Sequence, residues 1–195
     1  MGQTGLLDLE RHFAFYGAYH SNPTNILIHM IFVWPILFTA LILLYFTPPF
    51  QLQIPLPHPL VFNFGLLSTL AYAAFYVCLD KKAGSLAALM CFGCWVGSSF
   101  VASQLGYSLA WKVVLAAQLL CWTGQFIGHG VFEKRAPALL DNLVQAFLMA
   151  PFFVLLEALQ SFFHYEPYPG FHARVNATIH AQIKEWQAKK LNKVT

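Results

Sequence analysis

Long apolar runs, broken by short polar or proline-rich segments, set the pattern of this chain. The runs cover residues 24–46, 60–79, 84–103, 107–127 and 143–163. Each holds about the 20 residues that an α-helix needs to cross ~30 Å of hydrocarbon. Asn22 is a good N-cap and Pro23 suits a first helical position, so the first run starts there. Pro35 predicts a kink inside it. Pro48 and Pro49 end it, and the proline-rich stretch to Pro59 is a loop. Asp80-Lys81-Lys82 predicts a tight turn, and Gly106 a second one. Ahead of the runs, Leu6, Leu7, Leu9, Phe13, Phe15 and Tyr16 alternate with a few charges and predict a short interfacial helix. Residues 128–142 are polar, with Asp141 a candidate start for the next helix. The tail from His164 is polar and holds a Lys-rich helical stretch over 175–191. No internal repeat is visible. The prediction is an all-α polytopic membrane helical bundle forming one domain over residues 1–195.

The fifth run carries Pro151 near its middle and Glu157 beyond it. Charge placement bears on its path. Of the 11 Lys and Arg residues, Lys112 lies inside the fourth run. The other ten (Arg11, Lys81, Lys82, Lys134, Arg135, Arg174, Lys184, Lys189, Lys190 and Lys193) fall on one side if the fifth run turns back at Pro151. If that run crosses, the five tail charges change sides. The positive-inside rule favours the first arrangement and makes that side cytoplasmic. The expected topology is therefore four spans plus a re-entrant fifth hairpin, with residues 1–23 interfacial, 24–163 spanning, and 164–195 a cytoplasmic tail.

Composition agrees: 58% of residues are hydrophobic and only 10% charged, where a soluble domain has about 25% charged. A net charge of +3, scattered along the chain, does not suggest a nucleic-acid partner. Residues 1–19 carry Asp8, Glu10 and Arg11 and no signal-peptide core, so the first span is expected to act as its own targeting signal. Cys91-x-x-Cys94 has metal-like spacing, but it lies mid-span without a second pair; small packing residues are the better description.

The candidate chemistry lies in histidines. His20 sits before the Asn22-Pro23 break and can fold back over the first turns of the helix, where Asn25 and His29 share a face at i, i+4. The alternation of spans returns the end of the fourth run to that same side. There stands His129, with Glu133 four residues on. His20, His29 and His129 thus reach one membrane surface, and imidazole with or without carboxylate suits Fe(II), Zn or Cu. A lone interfacial histidine is usually only hydrogen-bonded; three on one side, each beside Asn or Glu at helical spacing, shift the balance. Asn22 fits a cap. Glu133 fits equally a pairing with a nearby Arg or Lys. His12, His58, His164 and His172 have no partner pattern, and His180 is an outside candidate for a fourth ligand. Clustered histidine boxes of the membrane di-iron hydroxylase kind are absent, as are a P-loop, a dinucleotide fingerprint and a nucleophile elbow.

Two stretches, FYGAYHSNPTNILIHMIFVWP and QFIGHGVFEKRAPALLDNLVQ, resemble the signatures of the 2-hydroxy-fatty-acid dioxygenase family. The shared content is Tyr-x-x-x-His-x-Asn-Pro-x-Asn-x-x-x-His together with Gly-His-x-x-x-Glu. GLLDLE near the N-terminus and APFFVLLE in the fifth run extend the likeness. The resemblance implies an Fe(2+) enzyme of the endoplasmic-reticulum membrane, in phytosphingosine breakdown, that shortens a 2-hydroxy fatty acid by one carbon with O2. It implies His20, His29 and His129 as metal ligands and Glu133 and Asn25 as catalytic polar groups. Trp34 intervenes before the proline that follows the second histidine, and the tail beyond Glu166 is poorly matched, so His180 is not carried over. A 2-hydroxy acid can chelate iron through its hydroxyl and one carboxylate oxygen, leaving room for O2 and needing no 2-oxoglutarate. The acyl chain would lie between the spans, among membrane lipid. Two other classes remain open at this point: a metal- or haem-binding membrane module without turnover, and a structural membrane protein.

Overall fold

The computed structural model describes residues 5–51, 56–137 and 142–192, and Asp141 and Lys193 lie outside these. All regular structure among the described residues is helical: α1 (Leu9–Tyr19), α2 (Pro23–Tyr45), α3 (Phe64–Leu79), α4 (Lys81–Ile127), α5 (Ala150–Phe163) and α6 (Phe171–Leu191), with π turns at Gly128–Glu133 and Gln145–Met149. Among the described residues, three helical stretches are long and apolar enough to cross a bilayer: Pro23–Tyr45, Lys81–Glu133 and Gln145–Phe163.

Polar side chains at the helix ends fix the order of the bundle. Asn22 accepts from the Thr24 amide, and Pro23 follows it, so α2 starts where the sequence predicts. α2 stays one helix through Pro35. Buried Asn63 joins the far end of α2 to the start of α3. Its Nδ2 donates to the Leu44 and Tyr45 carbonyls at 3.1 and 2.8 Å, and its Oδ1 accepts from the Gly65 and Leu66 amides. One group thus satisfies orphan carbonyls of one helix and orphan amides of the next. Asp80 then links α3 to α4 as the sole intervening residue and caps α4 by accepting from the Ala83 amide at 2.6 Å.

α4 contains a break at Gly106, whose φ of 65° and ψ of 162° lie in a region open mainly to glycine. The chain reverses there, since both halves pack along α2 in opposite senses. In the first half, Gly97 meets Phe38 and Ala102 clusters with Ile42. In the second half, Tyr107 meets Phe46 edge to face, Gln118 donates to the Ile36 carbonyl, and Gly124 faces Phe32. The turn expected at Gly106 is therefore present, and the end of α4 comes back to the start of α2.

The reversal expected at Pro151 is not. The π turn Gln145–Met149 leads without a gap into α5, and Pro151 stands in the first turn of that helix. Proline has no N–H to give the preceding turn, and it is accommodated there because the carbonyls it frees find other donors. The Phe147 carbonyl, left without its usual i+4 donor, accepts instead from the Tyr72 hydroxyl at 2.8 Å, and the Leu148 carbonyl accepts from Tyr76. Both ends of this stretch nevertheless stand by the same end of the bundle. Gln145 meets His12 of α1 at 2.9 Å, while Tyr165, just past α5, donates to Asp80 at 2.6 Å. α6 then lies on α1, with Arg174 bonded to Glu10 at 3.0 Å and Phe171 stacked on Phe13. The main core joins α1, α3, α5 and α6 through Phe13, Tyr76, Phe152, Phe153 and Phe171.

α3 and α4 approach most closely at Gly84, where an added Cβ would collide with the Tyr76 carbonyl oxygen, whereas Gly93 faces open space. Gly84→Ala is expected to destabilise by about 1–3 kcal/mol through overpacking. Thermal unfolding in detergent should show a lower melting temperature for Gly84→Ala and little change for Gly93→Ala.

Candidate metal centre

His20 is the residue that closes α1, with φ −134° and ψ 67°, and its ring turns back onto Tyr16. His Nδ1 meets the Tyr16 carbonyl at 2.8 Å. His29 repeats the arrangement in α2, with Nδ1 2.9 Å from the Asn25 carbonyl. A carbonyl only accepts, so both Nδ1 atoms carry the proton and both Nε2 atoms keep a free lone pair. His129 comes from the π turn that ends α4. Such turns recur at functional sites, where they redirect a side chain without ending the helix. The three rings meet edge to face, with centroids 4.3, 4.8 and 4.9 Å apart.

One nitrogen from each ring lies within 4.8 Å of the others, and all three residues are buried. Nε2 of His20 and Nδ1 of His129 have no hydrogen-bond partner among the described residues. Leaving a buried polar atom unpaired costs about 1–3 kcal/mol. Burial, and after it the facing rings of His29 and His129, push the His20 imidazole well below the usual histidine range, so it stands as a neutral donor. Neutral imidazoles with unsatisfied lone pairs directed at one volume fit a divalent transition metal such as Fe, Zn, Cu or Ni.

Glu133 belongs to the surroundings of the cluster. Its Oε1 accepts from the Ser21 amide at 2.9 Å and from the Ser21 hydroxyl, and its Oε2 accepts from the Asn22 amide at 2.9 Å and Asn25 Nδ2 at 3.2 Å. The carboxylate thereby ties the π turn to the start of α2. Asn25 also donates to the Tyr19 carbonyl, and its backbone carbonyl orients His29. A Cβ at Gly128 would collide with Asn25 Oδ1, so only glycine allows this approach. Arg135 closes the assembly from outside. It donates to the Ala18 carbonyl at 2.7 Å and lies over the Tyr19 ring, with Trp186 of α6 nearby.

The structure brings His20, His29 and His129 together and sets Glu133 and Asn25 beside them. His180 is exposed on α6 and remote from the cluster in the sense that it supplies no atom to it. His12 bonds to Gln145, and His172 to the Tyr165 carbonyl, while His58 and His164 are exposed. Cys91 packs in the core. Sequence reasoning did not single out Arg135 or Gln125, and it met Tyr16 only in the interfacial helix and as the first residue of the motif shared with the family. A usable signal exists for the last two: each histidine of the cluster has a polar residue four positions earlier, namely Tyr16, Asn25 and Gln125.

The cluster caps a cavity of about 360 Å³ with mostly apolar walls. Its lining follows α2 from His29 to Leu43, about 21 Å at 1.5 Å per residue. An elongated apolar cavity with one polar mouth accepts an amphipathic chain.

The fold and the site define an apolar helical-bundle protein with a buried three-histidine cluster of metal-binding character. Residues 6–162 match the family described as 2-hydroxy-palmitic acid dioxygenase Mpo1-like, and the chain belongs to that family. It is 37% identical over 184 residues to the 2-hydroxy-palmitic acid dioxygenase MPO1 of Saccharomyces cerevisiae, covering 94% of each chain. No solved structure matches it.

Glu133→Gln keeps the shape of the side chain but turns an amide N–H₂ toward groups that are themselves donors. Supporting groups of this kind typically change metal affinity 10–100-fold. Titration of the purified protein with Fe(II) or Co(II) should show a loss of about that size. Unchanged affinity would contradict the tie described above, and complete loss equal to that of His129→Ala would place the carboxylate among the ligands.

Proposed function

We propose that this protein is an iron(II)-dependent dioxygenase that removes the carboxyl carbon of 2-hydroxy fatty acids. The observation that carries the proposal is the cluster of three buried imidazoles at the mouth of an elongated apolar cavity. The activity for which the yeast relative is named supplies the substrate class. The reaction balances without a further reductant: RCH(OH)COOH + O2 gives RCOOH + CO2 + H2O, with all four electrons drawn from the substrate.

His20, His29 and His129 would hold the ion. Bound there, Fe(II) would supply open coordination positions for the acid and O2. The protein's own groups set the conditions. The Tyr16 and Asn25 carbonyls hold His20 and His29 in the tautomer that offers Nε2. Glu133 and Asn25 act as positioning residues, since they touch the elements that carry the ligands. The walls given by Val33, Leu37, Val114 and Phe153 take up the acyl chain and exclude water from the reacting end.

In this reading the protein lies in the endoplasmic-reticulum membrane with four spans, and the unbroken stretch Gln145–Phe163 keeps both its ends at the site end of the bundle. α1, α6, the Asp80 turn and His129 all gather at one end of the bundle, which supports a cytoplasmic site and both termini on that side. Protease protection on sealed microsomes should digest tags at both termini. A protected C-terminal tag would mean that this stretch crosses.

The experiment on function is iron content and formation of the one-carbon-shorter acid from 2-hydroxypalmitate by purified protein. Alanine at His20, His29 or His129 should each abolish turnover, with double changes adding little, because ligands of one ion act as a unit. His58→Ala and His180→Ala should retain activity. Full iron and full turnover in His29→Ala would refute the site.

A further inference from the structure

Of the three polar side chains that precede the histidines by four positions, only that of Asn25, through its Nδ2, has hydrogen-bond partners among the described residues. The Tyr16 hydroxyl and the Gln125 Nε2 are both buried without one. The residues are 5% and 6% exposed, and both line the cavity that the histidines cap. A phenol O–H and an amide N–H₂ are donors. The mouth of the cavity thus holds two buried donor groups that no described residue pairs, above apolar walls such as Val33, Ile36 and Leu37. The Tyr16 ring is stacked on His20 with centroids 4.1 Å apart, and it touches Phe153 on its other flank, so its hydroxyl is held in place before any ligand arrives. Gln125 stands one turn ahead of His129 near the end of α4.

We propose that Tyr16 and Gln125 form a carboxylate clamp: the hydroxyl and the amide donate to the carboxylate of the fatty acid and hold its head against the three histidines. That the acid is a 2-hydroxy acid rests on the function proposed above; that the ligand is an anion with an acyl chain rests on the two donors and the apolar walls. The clamp selects an acid over an alcohol of the same length, since both fill the cavity but only the carboxylate offers a charged acceptor to both donors. Charge-assisted hydrogen bonds are the stronger kind. Loss of either donor should weaken binding of the acid by about tenfold.

The test uses full-length, metal-free protein in detergent, with fluorescence of Trp122 in the cavity wall reporting binding. The probes are 2-hydroxypalmitate and hexadecane-1,2-diol, which keeps the chain and the 2-hydroxyl but replaces the carboxylate. Wild type should prefer the acid by at least about tenfold. Tyr16→Phe and Gln125→Leu should each weaken the acid about tenfold and leave the diol within about threefold. Melting temperatures should stay equal or rise, because an apolar group replaces an unpaired buried donor; a structural role would lower them. Equal weakening of both ligands, unchanged binding of the acid, or a lowered melting temperature in both variants would overturn the clamp. Turnover by wild type is measured separately. If wild type makes no shortened acid but keeps an acid preference that both variants lose, the dioxygenase function fails and the clamp stands. If turnover is present and both variants bind the acid as wild type does, the clamp fails and the function stands.

Discussion

One carboxylate ties together the two parts of the chain that make the site. Glu133 is separated from Ser21, Asn22 and Asn25 by 112, 111 and 108 residues, and it accepts hydrogen bonds from all three. These donors are amides and side chains at the start of α2, where the helix dipole already favours negative charge. The tie sets the π turn against the α1–α2 junction, and the π turn carries His129. Removing the interaction would leave unpaired amides on one side and a loosened turn on the other. The glycine at position 128 makes the contact possible, because any Cβ there would strike Asn25.

The sequence showed the parts of the structure that depend on local rules. Apolar run length, the Asn22-Pro23 start and the Gly106 turn are properties of short segments, and each is present in the fold. The three histidines were legible because alternating helices return the end of α4 to the start of α2. Pro151 was misread for a physical reason. A proline in an apolar run signals a break only if the carbonyl it frees stays unpaired, and here Tyr72, 75 residues away in sequence, supplies the donor. The π turn at Gly128–Glu133 is likewise a product of tertiary contacts, so periodicity alone gave a continuing α-helix with His129 and Glu133 on one face. Arg135 looked like one more interfacial charge, and its stacking on Tyr19 and Trp186 depends on α6 lying over α1.

The layer formed by α1 and α6 gives the bundle an unequal pair of ends. The far end is joined by the Asn63 links and by the Phe50 amide bonded to the Phe62 carbonyl, while the site end carries the helices that lie over it and most of the charged residues. Such asymmetry suits a site that works on an amphipathic substrate. The chain of such a substrate would lie among apolar helices, with its head at the buried imidazoles, where charge interactions are stronger than in water.

The central claim is that three imidazoles, one from each side of the α1–α2 junction and one from the end of α4, bind a single iron. X-ray absorption spectroscopy of the iron-loaded protein addresses it directly. The account predicts a first shell of nitrogen and oxygen only, with multiple scattering that fits about three histidines at roughly 2.0–2.2 Å, the range of such bonds in related metal sites. A sulfur shell near 2.3 Å, of the kind thiolates give, would point to Cys91 and Cys94 instead. That result, or a shell without histidine scattering, would contradict the account.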